Sequence, residues 1–203
     1  MTIPAALHQR YHAWRIARLT ARAAVLTEDQ AYDLLFLCKQ GFVRAWATGQ
    51  SITRIHASVE NRLRKRLRVV IRPGTYFVAR GDYQNMVTRR EYTIMLRPAD
   101  TEDIALEAAC INAGRPIPGT EARFSGVRRV SDDLARFLEA AQRSDPMTVQ
   151  AGVWSITDGL SAGQVRQRLL VRANSGATRQ AISEANIAEA RSILNTMGIR
   201  HQL

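Results

Sequence analysis

Cysteine and long apolar runs are both scarce in this sequence, and each scarcity excludes a class of protein. Two cysteines in 203 residues do not make a disulfide-rich scaffold, and neither Cys38 nor Cys110 has partners at metal-ligand spacing. No run approaches the roughly 18 apolar residues that cross a bilayer, and the N-terminus lacks the apolar segment of a secretory signal. We therefore expect a cytoplasmic protein with no membrane span, no cofactor and no metal.

Acidic residues are also few. The chain has 18 Asp and Glu against 29 Lys and Arg, which gives a formal net charge of +11, and nearly all of the positive charge is arginine. The planar guanidinium pairs with phosphate and carboxylate groups, so RNA, DNA and acidic proteins are all compatible partners. Hydrophobic residues make up 46% of the chain, which is enough to bury the core of one domain with an appended segment.

The periodicity of the apolar residues predicts an α+β fold with two N-terminal helices, an antiparallel β-sandwich-like core and a C-terminal helical cluster. We place the N-terminal helical segment at residues 1–50 and the β-rich body with its helices at residues 51–203. Residues 1–26 have the pattern of a basic amphipathic helix. Its arginines either bind a partner or point into water, and the partner-binding candidates are Arg15, Arg18 and Arg22.

A capping box at Thr27 to Gln30 predicts a second helix that ends near Thr48, with Cys38 packed in its core-facing stripe. From Ser51 the apolar period changes to two, which predicts strands separated by turns. The predicted strands are 51–60, 66–72, 75–79, 91–96 and 104–112, with the first two joined as a hairpin through the turn 61–65. Helical period returns from Ser131, with later helix starts at Asp145-Pro146 and Ser161 and a last helix near 188–197.

Positive charge is densest on the predicted hairpin, at Arg62, Arg64, Lys65, Arg66, Arg68 and Arg72. A stripe of this kind can follow the phosphates of a nucleic acid, and the nearby Tyr76, Tyr83 and Tyr92 could stack on bases. The alternative is a solvated sheet face on which arginines prevent edge-to-edge aggregation. No nucleic-acid-binding motif accompanies the stripe, so both readings stay open.

Cys110 and Gln150 are the candidates for covalent chemistry. Cys110 alternates with inward-facing strand residues, and the helix that carries Gln150 must pack on the same sheet if the domain has one core. A thioester forms when a thiol attacks a glutamine side-chain carbonyl in a dry pocket and ammonia leaves. The alternative is a small buried cysteine beside a glutamine that hydrogen-bonds a strand end. A Cys110–His56 hydrolase is disfavoured, because His56 alternates to the opposite strand face.

Metal binding has one weak candidate. His8 and His12 are one helical turn apart, but no third ligand accompanies them, so they predict no metal site.

An ordered series of motifs carries a family resemblance. The series comprises Asn61, Pro73-Gly74-Thr75-Tyr76-Phe77, Gln84-Asn85-Met86-Val87, Ala109-Cys110-Ile111-Asn112, Pro116 to Pro118, and Gln150-Ala151-Gly152-Val153-Trp154-Ser155-Ile156-Thr157-Asp158. Over about Ser51 to Gly198 it resembles the bacterial thioester (TQXA-like) domains, and only the Gln-to-Trp motif is specific by itself. The resemblance implies a β-rich module with Cys110 as the acyl acceptor and Gln150 as the acyl donor.

Three features depart from that family. The chain has no secretion signal or wall-anchoring tail, its Cys-to-Gln separation is short for an adhesin, and Ala109 stands where those domains usually place a larger residue. Similar motif sets are associated with cytosolic bacterial defence or signalling proteins, which implies an interaction or sensing role.

We therefore expect a non-enzymatic protein-interaction or sensing module of a bacterial multi-protein system, with a protein partner. One alternative is a nucleic-acid-binding protein that uses the arginine-rich hairpin on RNA or DNA. The other is a covalent binder with an internal Cys110–Gln150 thioester.

Overall fold

The computed structural model describes residues 17–172 and 178–203 of the chain. In chain order, its strands are β1 (Ala31–Asp33), β2 (Val43–Ser51), β3 (Arg54–Asn61), β4 (Leu67–Ile71), β5 (Thr75–Ala79), β6 (Asn85–Thr88), β7 (Tyr92–Leu96), β8 (Thr101–Ile111), β9 (Arg123–Arg129), β10 (Leu170–Arg172) and β11 (Thr178–Gln180). The helices are α1 (Leu34–Gln40), α2 (Asp132–Ala140), α3 (Pro146–Asp158), α4 (Ala162–Arg168) and α5 (Glu184–Thr196). Residues 17–22 are also helical and continue into a 3₁₀ turn at Ala23–Val25.

Six strands close into an antiparallel barrel in the order β2, β3, β8, β6, β5, β9, with β9 pairing back onto β2. The predicted α+β class is confirmed, but the sandwich is replaced by this barrel. Closure gives each of the six strands a neighbour on both sides, which limits edge-to-edge association. Strand periodicity alone does not distinguish the two architectures, because inward and outward residues alternate in both.

The barrel interior is built from alternating residues of each strand. In β3, Ile55, Ala57 and Val59 are buried, whereas Arg54 and His56 are exposed. In β8, Leu106, Ala108 and Cys110 are buried in the same core, so the inward direction predicted for Cys110 is confirmed. The largest side chains that fill the interior are Phe77, Met86, Leu106 and Phe124.

Helices α2, α3 and α5 cover the outside of the barrel over β6 and β8. This second core contains Val87, Ala109 and Ile111 from the strands, together with leucine, valine and phenylalanine side chains from the three helices. Helix α3 is buried from Thr148 to Ser155. Its start at Asp145-Pro146, the capping box at Ser161 and the helix after Ser131 are as predicted.

A separate three-stranded sheet has the order β1-β4-β7, with β1 parallel to β4 and β7 antiparallel to it. Helix α1 packs on this sheet, and its Leu34 and Leu37 share one buried cluster with Leu67, Val69 and Ile71. The sheet and the barrel interior therefore form one continuous hydrophobic core.

The helix predicted from Thr27 to Thr48 is wrong. Helix α1 is much shorter, since the Asp33 carboxylate caps its start at Leu35 and Phe36, and Gly41 ends it in the left-handed region at φ 75°. Residues 43–51 then form a barrel strand that pairs with β3 across the expected boundary at residue 50. Buried residues alternate with more exposed ones along β2, which is the two-residue period of a strand. The prediction of one long helix missed this period.

The predicted hairpin between β3 and β4 is also wrong. The buried Asn61 side chain donates to Lys65 O and to Arg97 O, both at 2.8 Å, and accepts from Leu63 N at 3.0 Å. These bonds direct the chain out of the barrel after β3. Strand β4 then pairs with β1 and β7, and β3 pairs with β2 and β8.

The predicted basic N-terminal helix is described only at its end. Arg15, His8 and His12 lie outside the described residues, whereas Arg18 is exposed. The Arg22 guanidinium donates to Gln40 Oε1 and lies over the Phe42 ring, 5.7 Å from its centroid. Arg22 thus contacts the body of this chain.

Candidate functional site

The six basic residues of the predicted hairpin do not share one surface. The Arg62 side chain donates to Gly41 O at 3.3 Å and points toward the barrel wall. Lys65 Nζ donates to Ala23 O at 2.6 Å and also to Leu26 O, so its ammonium caps the carbonyl end of the N-terminal segment. Lys65 therefore has a structural role.

The other four basic residues are exposed, namely Arg64, Arg66, Arg68 and Arg72. Two of them, Arg66 and Arg68, line a shallow depression together with the carboxylates of Glu28 and Asp29. Arg72 Nε lies 3.8 Å from Asp33 Oδ2. Carboxylates therefore lie near three of these four arginines, and Asp33 is shared with Arg129, which it contacts at 2.9 Å.

A different set of arginines comes together on the outer barrel wall, where a groove of about 490 Å³ opens between β2 and β9. The arginines that line this groove are Arg44, Arg62, Arg80 and Arg123. Among the described residues that line it there is no Asp or Glu. Carboxylates lie just outside this lining: Glu60 of β3 stands opposite Arg44 in the strand register, Glu121 interacts electrostatically with Arg123, and Asp33 does so with Cys38. The recess itself therefore carries four arginines, and the compensating carboxylates surround it.

The groove lies where the ladder between β9 and β2 stops. Phe124 pairs with Ala47 of β2 on one side and with Ala79 of β5 on the other, whereas residues 127–129 pair with β5 and have no partner in β2. Gly126 lies between them at φ 82°, a left-handed conformation that glycine adopts without steric cost. Within the described part of the chain, β9 gives no ladder partner to β2 residues 43–45, and the groove occupies this gap.

Trp46 provides the aromatic surface of the groove. It is half-buried and lies two residues after Arg44, so both side chains project from the same face of β2. The Arg44 guanidinium carbon lies 5.4 Å from the Trp46 ring centroid, which is the geometry of a cation–π contact. The indole and one groove arginine are therefore held together before any ligand arrives.

Cys38 also lines the groove, at the end of α1. Burial raises the pKa of this thiol to about 11, and the negative charge of Asp33 acts in the same direction. A hydrogen bond from the Ala45 backbone acts in the opposite direction and is the weakest of the three influences. The thiol is protonated at neutral pH, so Cys38 is neither an activated nucleophile nor a thiolate ligand.

Cys110 and Gln150 do meet, through the main chain of the cysteine. Cys110 N donates to Gln150 Oε1 at 2.9 Å, and Gln150 Nε2 donates to Cys110 O at 2.8 Å. The ladder between β3 and β8 ends at the pair of Arg54 with Glu107, so Cys110 has no partner in β3. The side-chain amide of Gln150 supplies the donor and acceptor that another strand residue would have supplied.

The Cys110 sulfur lies inside the barrel. Its Sγ is 3.3 Å from Met86 Sδ and donates weakly to Ile52 O at 3.7 Å. Burial raises the pKa of the thiol to about 12. A thioester would require the sulfur to bond the Gln150 side-chain carbonyl carbon, and that bond stays a prediction. His56 is exposed on the outer face of β3, as expected from its alternation.

The Gln-to-Trp motif has a further partner that the sequence did not indicate. Trp154 is fully buried, and its Nε1 donates to Gln84 Oε1 at 3.2 Å. Gln84 is buried as well, and its amide donates to Arg115 O at 2.9 Å. Gln84, Gln150 and Trp154 thus satisfy polar groups between helix α3 and the barrel, which is a structural role.

The tyrosines proposed as base-stacking residues do not lie in the groove. Tyr76 packs against the core under α2, and the Tyr92 hydroxyl accepts from Glu107 N at 2.7 Å. A hydrogen bond to Glu121 raises the pKa of Tyr83, and the pKa of the Glu121 carboxyl is lowered first by a hydrogen bond from its own backbone and then by the one from Tyr83. Two aromatic residues line the groove, Trp46 and Phe124, and of these Phe124 is buried whereas Trp46 is partly exposed. In the sequence, the two-residue period of residues 43–49 was the one local signal that places Trp46 on the same strand face as Arg44.

Comparison with known proteins found no matching family model, no matching curated protein and no matching solved structure. The site therefore has to be interpreted from its own chemistry. In the described ranges no group of three His, Cys, Asp or Glu side chains is placed to hold a metal ion. No helix within them has the length and apolar character needed to cross a membrane.

Proposed function

We propose that the chain is a non-enzymatic binding module whose site is the arginine-lined groove and whose ligand is a polyanion that carries phosphate groups. The observation that carries this proposal is the convergence of Arg44, Arg62, Arg80 and Arg123 on one recess without a carboxylate in its described lining. Guanidinium groups bind phosphate oxygens in a bidentate manner, with charge-assisted hydrogen bonds about twice as strong as neutral ones. The net charge of +11 also raises the rate of encounter with a polyanion.

The state of the thiols supports binding rather than catalysis. Cys38 in the groove and Cys110 in the barrel are both protonated at neutral pH because burial raises their pKa values. The motif series from 51 to 198 supports placing the module in a bacterial defence or signalling assembly. There the polyanion would be the molecule that the module senses, and partner proteins would bind elsewhere on the chain.

A matched pair of double variants tests the site. Arg44→Ala with Arg123→Ala removes two groove cations, and Arg66→Ala with Arg68→Ala removes two exposed cations that lie near carboxylates. The ligand is a fluorescently labelled abasic phosphodiester oligomer, and binding is followed by anisotropy over a salt series. We expect the groove variant to bind at least about tenfold more weakly and its salt slope to fall by about 0.7 per lost phosphate contact.

The control variant should change the affinity less than twofold. An equal loss of affinity in both double variants would mean that net charge alone drives binding, and the groove would lose its assigned role. Absence of binding to the wild-type chain at low salt would end the proposal altogether.

A further inference from the structure

We infer that the groove's ligand is a single-stranded nucleic acid, one base of which stacks on the Trp46–Arg44 pair. This inference rests on the proposed function of the groove. Phosphates alone need only the arginines, and an indole adds nothing to their recognition. The presence of Trp46 in the same recess therefore indicates a ligand that alternates phosphates with planar, apolar groups.

The geometry of the pair suits a base. Bases stack on aromatic rings and on guanidinium planes. The Arg44 group lies over the Trp46 ring, 5.4 Å from its centroid, so a base stacks on the outer side of the guanidinium or takes its place on the indole. The ring is half-buried, so β2 and its neighbours limit its rotamers while part of it stays accessible in the groove. A base that stacks there loses little side-chain entropy from the protein, because the platform is already ordered.

Base stacking also distinguishes single strands from duplexes. The faces of paired bases are covered by their neighbours in a duplex, whereas unpaired bases expose them to an aromatic side chain. A duplex would use the groove arginines only through its phosphates. Because every base has a π-face, the stacking contribution is tolerant of sequence, so we expect similar affinity for oligomers of different base composition.

The experiment uses the full chain and four labelled ligands of equal length: single-stranded RNA, single-stranded DNA, the abasic phosphodiester oligomer and a blunt DNA duplex. Trp46→Ala tests the platform, Trp46→Phe restores an aromatic ring, and Phe36→Ala removes an exposed aromatic side chain outside the groove. Thermal unfolding of each variant shows whether it remains folded at the assay temperature.

We expect Trp46→Ala to weaken binding of the base-bearing single strands by about 5- to 150-fold, because stacking contributes about 1–3 kcal/mol per base. The affinity for the abasic oligomer should stay within about twofold, Trp46→Phe should recover most of the loss, and Phe36→Ala should have no effect. Stacking should also quench tryptophan fluorescence in the wild-type chain. The Trp46→Phe variant, which keeps Trp14 and Trp154, should show no quenching.

The two proposals fail in different ways. If the abasic oligomer binds as tightly as the base-bearing strands and Trp46→Ala has no effect, the single-strand inference is overturned and the polyanion site remains. Tighter binding of the duplex would also overturn the inference and would identify double-stranded nucleic acid as the ligand. If no phosphate-bearing ligand binds, both proposals fail together.

Discussion

Replacement of Gln150 should destabilise the fold more than the loss of an ordinary side-chain contact. The side chain makes two buried hydrogen bonds to one residue, accepting from Cys110 N at 2.9 Å and donating to Cys110 O at 2.8 Å. In Gln150→Ala both main-chain groups of Cys110 lose their partners in a region that is fully buried. The strand end is then left with an unpaired donor and an unpaired acceptor.

The magnitude follows from these two groups. A buried polar group that loses its partner costs about 1–3 kcal/mol, so two of them cost about 2–6 kcal/mol in the free energy of unfolding. Domains of this kind have a total stability of about 5–15 kcal/mol. Gln150→Met has a similar length and fills most of the volume, so the difference between the Met and Ala variants measures packing alone. We expect both to be strongly destabilised.

Gln150→Glu tests the two hydrogen bonds separately, because it keeps the one from Cys110 N and removes the one to Cys110 O. The introduced carboxylate can accept from Cys110 N but cannot donate to Cys110 O, and two acceptors then face each other in a buried site. Burial and this repulsion raise the pKa of the introduced carboxyl in the folded state above its unfolded value. The folded state therefore binds the proton more tightly, so the stability of this variant should rise as pH falls from 7 toward 5. Gln150→Ala should show no such recovery relative to the wild-type chain.

Urea unfolding followed by circular dichroism at pH 7 and pH 5 measures all four proteins. A Gln150→Ala variant within about 1 kcal/mol of the wild-type chain would refute the reasoning. It would mean that water or another polar group satisfies Cys110 in place of the amide.

Three further outcomes are expected. Gly152→Ala should destabilise by about 1–3 kcal/mol or more in urea unfolding, because the added Cβ would lie 2.0 Å from the buried Phe137 ring, and adding Phe137→Leu should recover part of the loss. Burial raises the pKa of Cys110 to about 12 from an ordinary value near 9, so the unfolded chain deprotonates first. Between pH 9 and pH 12 this thiol should therefore lower the stability by up to about 1.4 kcal/mol per pH unit, in addition to the contribution of Cys38 between pH 9 and pH 11, and Cys110→Ala should remove its share. Intact mass should equal the sequence mass, since the oxygen and the nitrogen of the Gln150 side-chain amide are both hydrogen-bonded to main chain. A wild-type mass lower by one ammonia, with Cys110→Ala at the mass its sequence dictates, would instead establish the thioester.

Local sequence signals predicted the elements that depend on local interactions. The Asp145-Pro146 start of α3 and the capping box at Ser161 were visible because a cap is formed by residues within one turn of each other. Strands β4, β5, β7 and β8 were predicted from alternation along each strand. Near residue 40 the helical reading failed because Gly41 was not taken as a helix end.

Strand partners and the groove could not be read from local signals. Ile55 of β3 pairs with Leu106 of β8, and no residue near either one specifies that choice over a hairpin with β4. The groove arginines come from segments around residues 44, 62, 80 and 123, and only closure of the barrel brings them together. The densest run of basic residues predicted a different surface, but within it Arg62 and Lys65 donate to carbonyl groups and Arg72 lies 3.8 Å from Asp33.

The short seam between β2 and β9, where residues 46–48 meet residues 123–125, is the joint that makes the barrel a closed cylinder. A molecule that contacts both Arg44 of β2 and Arg123 of β9 would link these two strands across the joint. Binding would therefore stabilise the closed barrel against unfolding. The melting temperature should rise once the concentration of the bound molecule exceeds its dissociation constant.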